Sequence, residues 1–516
     1  MLDSEAGFFD RAASAAFVVR GVNYVYVALP NGGMDTQLLK EGLYDPARTR
    51  ADFVRLADLG YNTVRVFLDH CSRGSGCIGD ADNMGLNPSY LDNITDMMAA
   101  AREAGLALLF TSNDLPDQGG YAEEASAQAG ETFAGYRNSY YLTPGAIRAT
   151  RRYWRDLLMG LIERHAAFDA VLAWELLNEQ WMFSDQPPLS LTSGRVQTTT
   201  GSYDMADPEQ KKAMVRDGIR YYIAEIKDEI LAHDPTALVT MGFFVPELVA
   251  PDWYVETAPL LADSELDFFD FHAYPGPLSL ADHAEAFGMV GYQAKPIVMG
   301  EYGAFRSRYD SVEAAARALG QWTTDSCGLG FDGWLYWTYY AAAPGVGDRT
   351  WGLTDQDGFL LDLLAPVNGP DPCRPIEVPT ANLAYSKPVT ASAEHLEEPA
   401  RNAVDEDLAT SWNAGGDPPQ WIEIDLQGSV RVREIRLLVA QYPDGPTIHR
   451  ILVRTSVGGG FTTVHEFSGA TQAGEWLVFQ PAVPIEGVRS VRIQSVASPS
   501  WVAWSEIEVL GDTTGS

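Results

Sequence analysis

The stretch Val171-Leu-Ala-Trp-Glu-Leu-Leu-Asn178-Glu179 is a short apolar run that ends in polar side chains. Lys295-Pro-Ile-Val-Met-Gly-Glu301-Tyr-Gly repeats the pattern. Each reads as a buried strand that delivers a carboxylate at its C-terminal end, which is where barrels of parallel strands keep their chemistry.

Outward from these two, further strand candidates are Phe17–Val27, Asn62–Leu68, Leu106–Thr111, Ala237–Gly242, Leu266–His272 and Asp332–Thr338. Helical spacing of apolar residues marks Asp52–Leu59, Ser89–Ala104, Pro144–His165, Pro208–His233 and Ser311–Cys327 between them. The alternation predicts an α/β chain whose residues 1–365 form a (β/α)8 TIM barrel. The prolines of residues 366–379 predict a stiff, exposed linker. Beyond it, Gln420–Leu426, Val432–Val439, Arg450–Thr455, Thr462–Phe467, Glu475–Phe479, Ser490–Ser495 and Ser505–Leu510 are short alternating runs between turn residues. They predict an antiparallel β-sandwich at 380–516.

A formal charge of −34 argues against nucleic acid, anionic lipid and acidic polysaccharide as partners. A neutral substrate fits better. No apolar run approaches the ~20 residues that cross a bilayer, so no membrane insertion is expected. Cys71 and Cys77 flank a flexible loop and are expected to form a disulfide, with free thiols as the alternative; whether Cys327 and Cys373 pair is left open. A disulfide implies export, and the expected location is secreted, extracellular. Asp10 and Arg11 interrupt the apolar start, which therefore lacks the form of a signal peptide, and a mature or trimmed chain is expected.

Two carboxylates meeting across a cleft suit the hydrolysis of a glycosidic bond, because one protonates the leaving oxygen while the other attacks the sugar carbon. The ordered motifs Gly60-Tyr-Asn-Thr-Val-Arg65, Asn178-Glu179, His272-Ala-Tyr274, Gly300-Glu301 and Trp337 resemble those of retaining glycoside hydrolases of family 5 and the wider clan A. The resemblance spans most of residues 17–340. It implies Glu179 as the acid/base, Glu301 as the nucleophile, and Arg65, Asn178, His272 and Tyr274 as their neighbours, with Trp337 as a sugar-stacking platform. Glu175 reads as a strand residue that supports the site. The third strand departs from the family: Leu109-Phe-Thr-Ser-Asn113-Asp114 stands where a histidine is usual, and Asn113 becomes the substrate-side candidate. A long insertion, Trp181–Asp207, and the turn Gly347-Asp-Arg-Thr-Trp351-Gly352 are expected to wall the cleft into a pocket.

In the second module, Asn382-Leu-Ala, Ala403-Val-Asp405-Glu-Asp407-Leu-Ala-Thr410-Ser-Trp412 and Ser505-Glu506-Ile-Glu-Val resemble the coagulation-factor type C, discoidin-like fold, including carbohydrate-binding modules of family 32. The resemblance implies a structural calcium held by Asp405, Asp407, Thr410 and Glu506, with a bare acidic turn as the alternative. Tyr442 and Trp501 are the candidates for loop-tip sugar contacts, and Trp412 for the core.

The expected activity is a retaining β-glycoside hydrolase acting on a neutral β-linked glycan or glycoside by a two-glutamate double displacement, at chain ends or on small glycosides. An endo-acting β-glucanase or β-mannanase is the alternative. A non-catalytic, lectin-like protein is the rival from another class. A metal-dependent hydrolase would need clusters of histidines at strand ends, and the chain has 8 histidines in all. No catalytic cofactor is expected, the partner is a carbohydrate, and no oligomeric state follows from the sequence.

Overall fold

The computed structural model describes residues 7–10, 15–28, 34–69, 71, 73–127, 133, 137–180, 182–244, 255–343, 349–368, 382–456, 458–481 and 484–513. The chain divides into two compact units, Met1–Arg374 and Pro375–Ser516.

The first unit is a (β/α)8 barrel. Its parallel strands are β1 (Val19–Asn23), β2 (Thr63–Phe67), β3 (Ala107–Thr111), β4 (Val171–Glu175), β5 (Val239–Thr240 and Gly242–Phe244), β6 (Phe269–His272), β7 (Ile297–Tyr302) and β8 (Gly333–Tyr336). The sheet closes through β5, whose first piece pairs with β4 and whose second pairs with β6. The expected single strand Ala237–Gly242 is thus two pieces. A Cβ at Gly242 would stand 1.7 Å from the Asn178 carbonyl oxygen, so only glycine lets the backbone pass that close.

Between the strands, α1 (Pro46–Asp58), α2 (Pro88–Ala104), α3 (Pro144–Glu163) and α4 (Pro208–His233) start by one device. Asp45, Asn87, Thr143 and Asp207 each cap the first-turn N–H groups with a side-chain oxygen, and proline follows where no N–H is needed. Helices Thr257–Asp263, Leu280–Phe287 and Val312–Gly328 complete the later crossovers; the first two are not among those expected from sequence, and the third matches the expected Ser311–Cys327. Cys71 and Cys77 form a disulfide, and Cys327 is disulfide-bonded; Cys373 lies outside the described residues.

Strand parity sorts the barrel interior into layers. Val19, Leu109, Ala173, Val298 and Leu335 point inward and pack with Phe8 and Phe268 as an apolar floor. Two residues further along, the same faces carry Gly21, Thr111, Glu175 and Gly300, and β6 places Asp270 and His272 inward. The interior therefore changes from apolar to ionic toward the C-terminal ends of the strands. Among the described residues no helix is long and apolar enough to cross a membrane.

The second unit is an antiparallel sandwich built on β9 (Gln420–Val439), β10 (Gly445–Arg454), β11 (Thr462–Thr471), β12 (Trp476–Phe479), β13 (Ile485–Ala497) and β14 (Ala503–Thr513). Two expected strands, Gln420–Leu426 and Val432–Val439, are one 20-residue strand. Its register shifts between Asp425 and Val432, where Gln427 has φ 62°, and this bulge lets β9 pair with β13 over its first half and β14 over its second. Trp412 and Trp504 are fully buried among Ile422, Ile424, Ile493 and Ile507.

Candidate active site

Arg65, inward on β2 and fully buried, is the hub on which the strand ends converge. Its Nε donates to Glu175 Oε2 at 2.7 Å and its Nη2 to Glu175 Oε1 at 2.8 Å, a bidentate pair. Nη1 donates to Glu301 Oε1 and Asn23 Oδ1, and Nη2 to Asn178 Oδ1, each at 2.8 Å. All five guanidinium donors are thereby used. Asn23 in turn donates from Nδ2 to the Gly300 carbonyl at 2.9 Å, which ties β1 to the turn before Glu301.

Glu301 should face away from the axis by parity, because Val298 and Gly300 already face it. The pairing slips at this point: His272 lies opposite Glu301 while Phe271 lies opposite Met299, so Gly300 is an extra residue on β7. This irregularity re-aims Glu301 inward. Its Oε2 accepts from the Tyr274 hydroxyl at 2.7 Å. His272 Nδ1 lies 3.1 Å from Glu179 Oε1 and 3.7 Å from Glu301 Oε1. Carboxylate oxygens of Glu179 and Glu301 and a His272 ring nitrogen all fall within 4.8 Å of one another.

The two glutamates differ in surroundings. The Glu179 side chain is 19% exposed, whereas that of Glu301 is 4% exposed and enclosed by donors. Burial pushes the Glu301 carboxyl up, and His272, Arg65 and the Tyr274 hydroxyl pull against it. Burial and the Glu301 charge hold the Tyr274 phenol well above its ordinary value, so it stays a donor. Burial works against a charged His272, but the Glu301 and Asp270 carboxylates outweigh it and lift the imidazole to about 10. Such an arrangement can protonate a leaving group from one side and attack from the other.

Asn178 is brought to Arg65, and its backbone N–H donates to the Ser112 carbonyl at 2.6 Å. Asn113 sits beside this network. Its backbone N–H donates to Asp69 Oδ1 at 2.6 Å, and its side-chain amide lies 3.4 Å from Asp114 Oδ2. Trp337 follows β8 half-buried, edge-on to Phe67 with ring centroids 5.9 Å apart. Trp181 and Gly347-Asp348 lie outside the described residues. The rest of the insertion forms a small hairpin, Arg195–Gln197 with Ser202–Asp204, and buries Met182, Leu189, Val196 and Met205 in the barrel's main core. Thr199 bonds the Leu142 carbonyl and Tyr203 bonds Asp217 of α4, so the segment is anchored on the flanking helices.

Sequence reading missed Asn23, Asp69 and Asp270. Asn23 was findable, as the polar residue ending an apolar strand. Asp69 is buried, accepts from the Ser112 hydroxyl at 2.7 Å, and is pushed to about 7 chiefly by burial.

In the second unit, Thr410 Oγ1 donates to both Asp405 oxygens at 3.1 and 3.0 Å, and Asp407 Oδ1 accepts from the Ala409 N–H. Glu506 Oε2 accepts from the Glu406 N–H at 3.0 Å, while its Oε1 is buried with no hydrogen-bond partner among the described residues. Burial, with Asp405 and other acids adding, pushes Glu506 to about 8.

Residues 388–508 match the F5/8 type C domain. This discoidin-like family accounts for the sandwich. A family 32 carbohydrate-binding module from C. perfringens NanJ, solved with galactose, is 19% identical over 24% of this chain and 91% of its own, with TM-score 0.22. The barrel shares its fold with an endo-1,4-β-mannanase from Rhizomucor miehei, 20% identical over 71% of this chain and 98% of that one, TM-score 0.50. An exo-β-1,4-mannosidase from Opitutaceae bacterium strain TAV5 is 19% identical over 75% of this chain and 66% of its own, TM-score 0.49. No curated protein sequence matches the chain.

Proposed function

We propose that the barrel hydrolyses β-glycosidic bonds of a neutral glycan or glycoside with retention of anomeric configuration. The observation that carries this reading is that a carboxylate oxygen of Glu179 and one of Glu301 lie within 4.8 Å of each other, both against His272 Nδ1. That approach supports attack by one carboxylate over the wider spacing, about 6.5–9.5 Å between carboxyl groups, that inversion uses to seat a water. Glu301, fixed by Arg65 and Tyr274, attacks the anomeric carbon as Glu179 gives its proton to the departing oxygen. Glu179 then takes a proton from the water that releases the sugar. In this reading Asn178, held by Arg65, bonds the sugar 2-hydroxyl and Trp337 stacks on the ring; the Arg65–Asn178 hydrogen bond supports the first role.

Replacing Glu179 with alanine is expected to slow substrates with poor leaving groups roughly 10²–10⁴-fold, while aryl glycosides with acidic phenols lose far less in the cleavage step. Equal losses on both classes would assign Glu179 to structure alone. A panel of aryl β-mannosides and β-glucosides, run beside polymeric mannan and glucan, tests the substrate class. Action at chain ends or on small glycosides shows as reducing ends that accumulate while viscosity falls slowly; a rapid early fall shows internal cleavage. No turnover on any glycoside, with sugar still bound, would favour the lectin reading.

For the F5/8 type C domain the reading is a carbohydrate-binding module with a structural calcium. Asp405, Asp407, Thr410 and Glu506 would hold the ion, and the unpartnered buried oxygen of Glu506 beside Asp405 is the feature that fits one. Tyr442 and Trp501, 68% and 40% exposed, are the candidate sugar contacts, and Ser500 ties their loops by bonding the Tyr442 carbonyl at 2.6 Å. A bound ion at 100 times its Kd adds about 2.7 kcal/mol to the folded domain. Chelator should therefore lower the melting transition of this domain and leave that of the barrel in place. An unchanged transition would remove calcium from the reading. The Cys71–Cys77 disulfide supports an extracellular location.

A further inference from the structure

Two residues before His272, Asp270 is fully buried, and among the described residues neither of its carboxylate oxygens has a hydrogen-bond partner. Space has been kept for it. A Cβ at position 300 would stand 1.5 Å from Asp270 Oδ1, so the glycine before Glu301 is what admits this carboxylate. An isolated buried charge of that kind is costly, and it persists only beside an opposite one. Arg65 Nε is 3.5 Å from Oδ2, but the five donors of Arg65 point at other acceptors. The remaining candidate is His272, whose Nε2 lies 3.5 Å from Asp270 Oδ1 and is likewise buried and unpartnered.

The other ring nitrogen, Nδ1, faces the carboxylates of Glu179 and Glu301. A neutral imidazole has one N–H and would leave one side of the ring presenting a lone pair to a carboxylate. An imidazolium donates on both sides. We propose that Asp270 is a positioning residue that fixes His272 as an imidazolium, with Nε2–H directed at Asp270 and Nδ1–H presented to the Glu179–Glu301 pair. The groups facing the ring agree: Glu175 and Glu179 from the end of β4, Glu301 from β7, Asp270 and Tyr274 from its own strand, and Arg65 from β2. Four carboxyls stand against one guanidinium, which favours a second cation.

The consequence rests on the hydrolase reading. Of the catalytic pair, that reading requires the free enzyme to hold Glu301 ionised and Glu179 protonated. When the Glu301 oxygen bonds the anomeric carbon and the leaving oxygen departs with the Glu179 proton, the negative charge has moved to Glu179. A cation held between the two serves whichever carboxylate is charged, without itself moving.

The test is a titration of the imidazole rings by NMR in the full chain labelled at histidine. In the wild type, His272 should remain an imidazolium at about pH 8, where an ordinary histidine is neutral. In Asp270→Asn, its pKa should fall by roughly two units. The basic limb of kcat/KM should fall with it, from about pH 10 to about pH 8, so that the variant keeps most of its activity at about pH 6 and loses it above about pH 8. A wild-type His272 that titrates in the ordinary range would overturn the proposal even if the variant fails to fold. An unmoved imidazole, or an activity loss equal at every pH, would also overturn it, since a merely structural Asp270 predicts both. The imidazole titration needs no substrate: absence of glycoside turnover would defeat the hydrolase reading and leave this proposal to its own readout.

Discussion

Glu301→Gln is expected to lower kcat roughly 10⁴- to 10⁶-fold, the scale on which loss of a covalent nucleophile is felt, while sugar binding and folding persist. The amide keeps the shape of the carboxylate. Its oxygen can still accept from Arg65 Nη1, now 2.8 Å from Glu301 Oε1, and its NH2 can donate to the Tyr274 oxygen on the other side. Arg65 also keeps its bidentate partner Glu175, so no uncompensated buried cation is created. What the amide lacks is the ability to form the glycosyl ester. A fluorinated slow substrate should label Glu301 in the wild type and nothing at that position in the variant. Activity within a hundredfold of wild type, label on another residue, or inversion of the anomeric product would each overturn the assignment.

The parts of the barrel that sequence conveys are those where one physical signal acts alone. Apolar runs bounded by polar ends mark β1 to β8 to within a few residues, and the expected starts of α2 to α4 fall within a residue of their Asn-Pro, Thr-Pro and Asp-Pro pairs. By contrast α1 begins at Pro46, ahead of the expected Asp52, and its capping Asp45-Pro46 pair is the signal that sequence reading missed. Residues at strand ends, Arg65, Glu175, Asn178, Glu179, His272, Tyr274 and Glu301, are brought together because barrel closure leaves their faces nowhere else to point. Register is less legible. Nothing in Met-Gly-Glu-Tyr says that the pairing slips at Gly300, and without that slip parity would turn Glu301 outward. The same holds for Gln427-Gly428-Ser429, which reads as a turn between two strands and is a bulge within one. Asp270 failed for a different reason. An acid inside Phe-Asp-Phe-His looks like a solvated interruption unless its i,i+2 relation to His272 is used, which places both on the inward face. The insertion after Glu179 was read for its length, whereas its spaced Met182, Leu189, Val196 and Met205 are what anchor it against the barrel.

Arg65→Met should be the most destabilising single change in the barrel, by about 3–5 kcal/mol near neutral pH, because removing one partner of a buried ion pair leaves the other charged and unanswered. Here three carboxylates lose their cation at once: Glu175 and Glu301 through direct hydrogen bonds and Asp270 at 3.5 Å. Burial already pushes the Glu175 carboxyl up, with Arg65 pulling it back and Asp270 adding to the rise, so loss of the guanidinium drives it further in the same direction. A carboxyl whose folded pKa is raised holds protons that the unfolded chain has released, and stability then falls as pH rises. The deficit of the variant relative to wild type should therefore be smallest at about pH 5 and grow most steeply from about pH 8 upward, the value to which Glu175 is already pushed in the wild type. Arg65→Lys should lie between, since an ammonium keeps the charge but offers three donors in place of the planar five. Denaturant unfolding of the three proteins across this pH range measures the effect. A deficit that does not change with pH would mean that packing around the side chain, and not the unanswered carboxylates, is what Arg65 supplies; equal midpoints near neutral pH would mean that the hub is not holding the strand ends together at all.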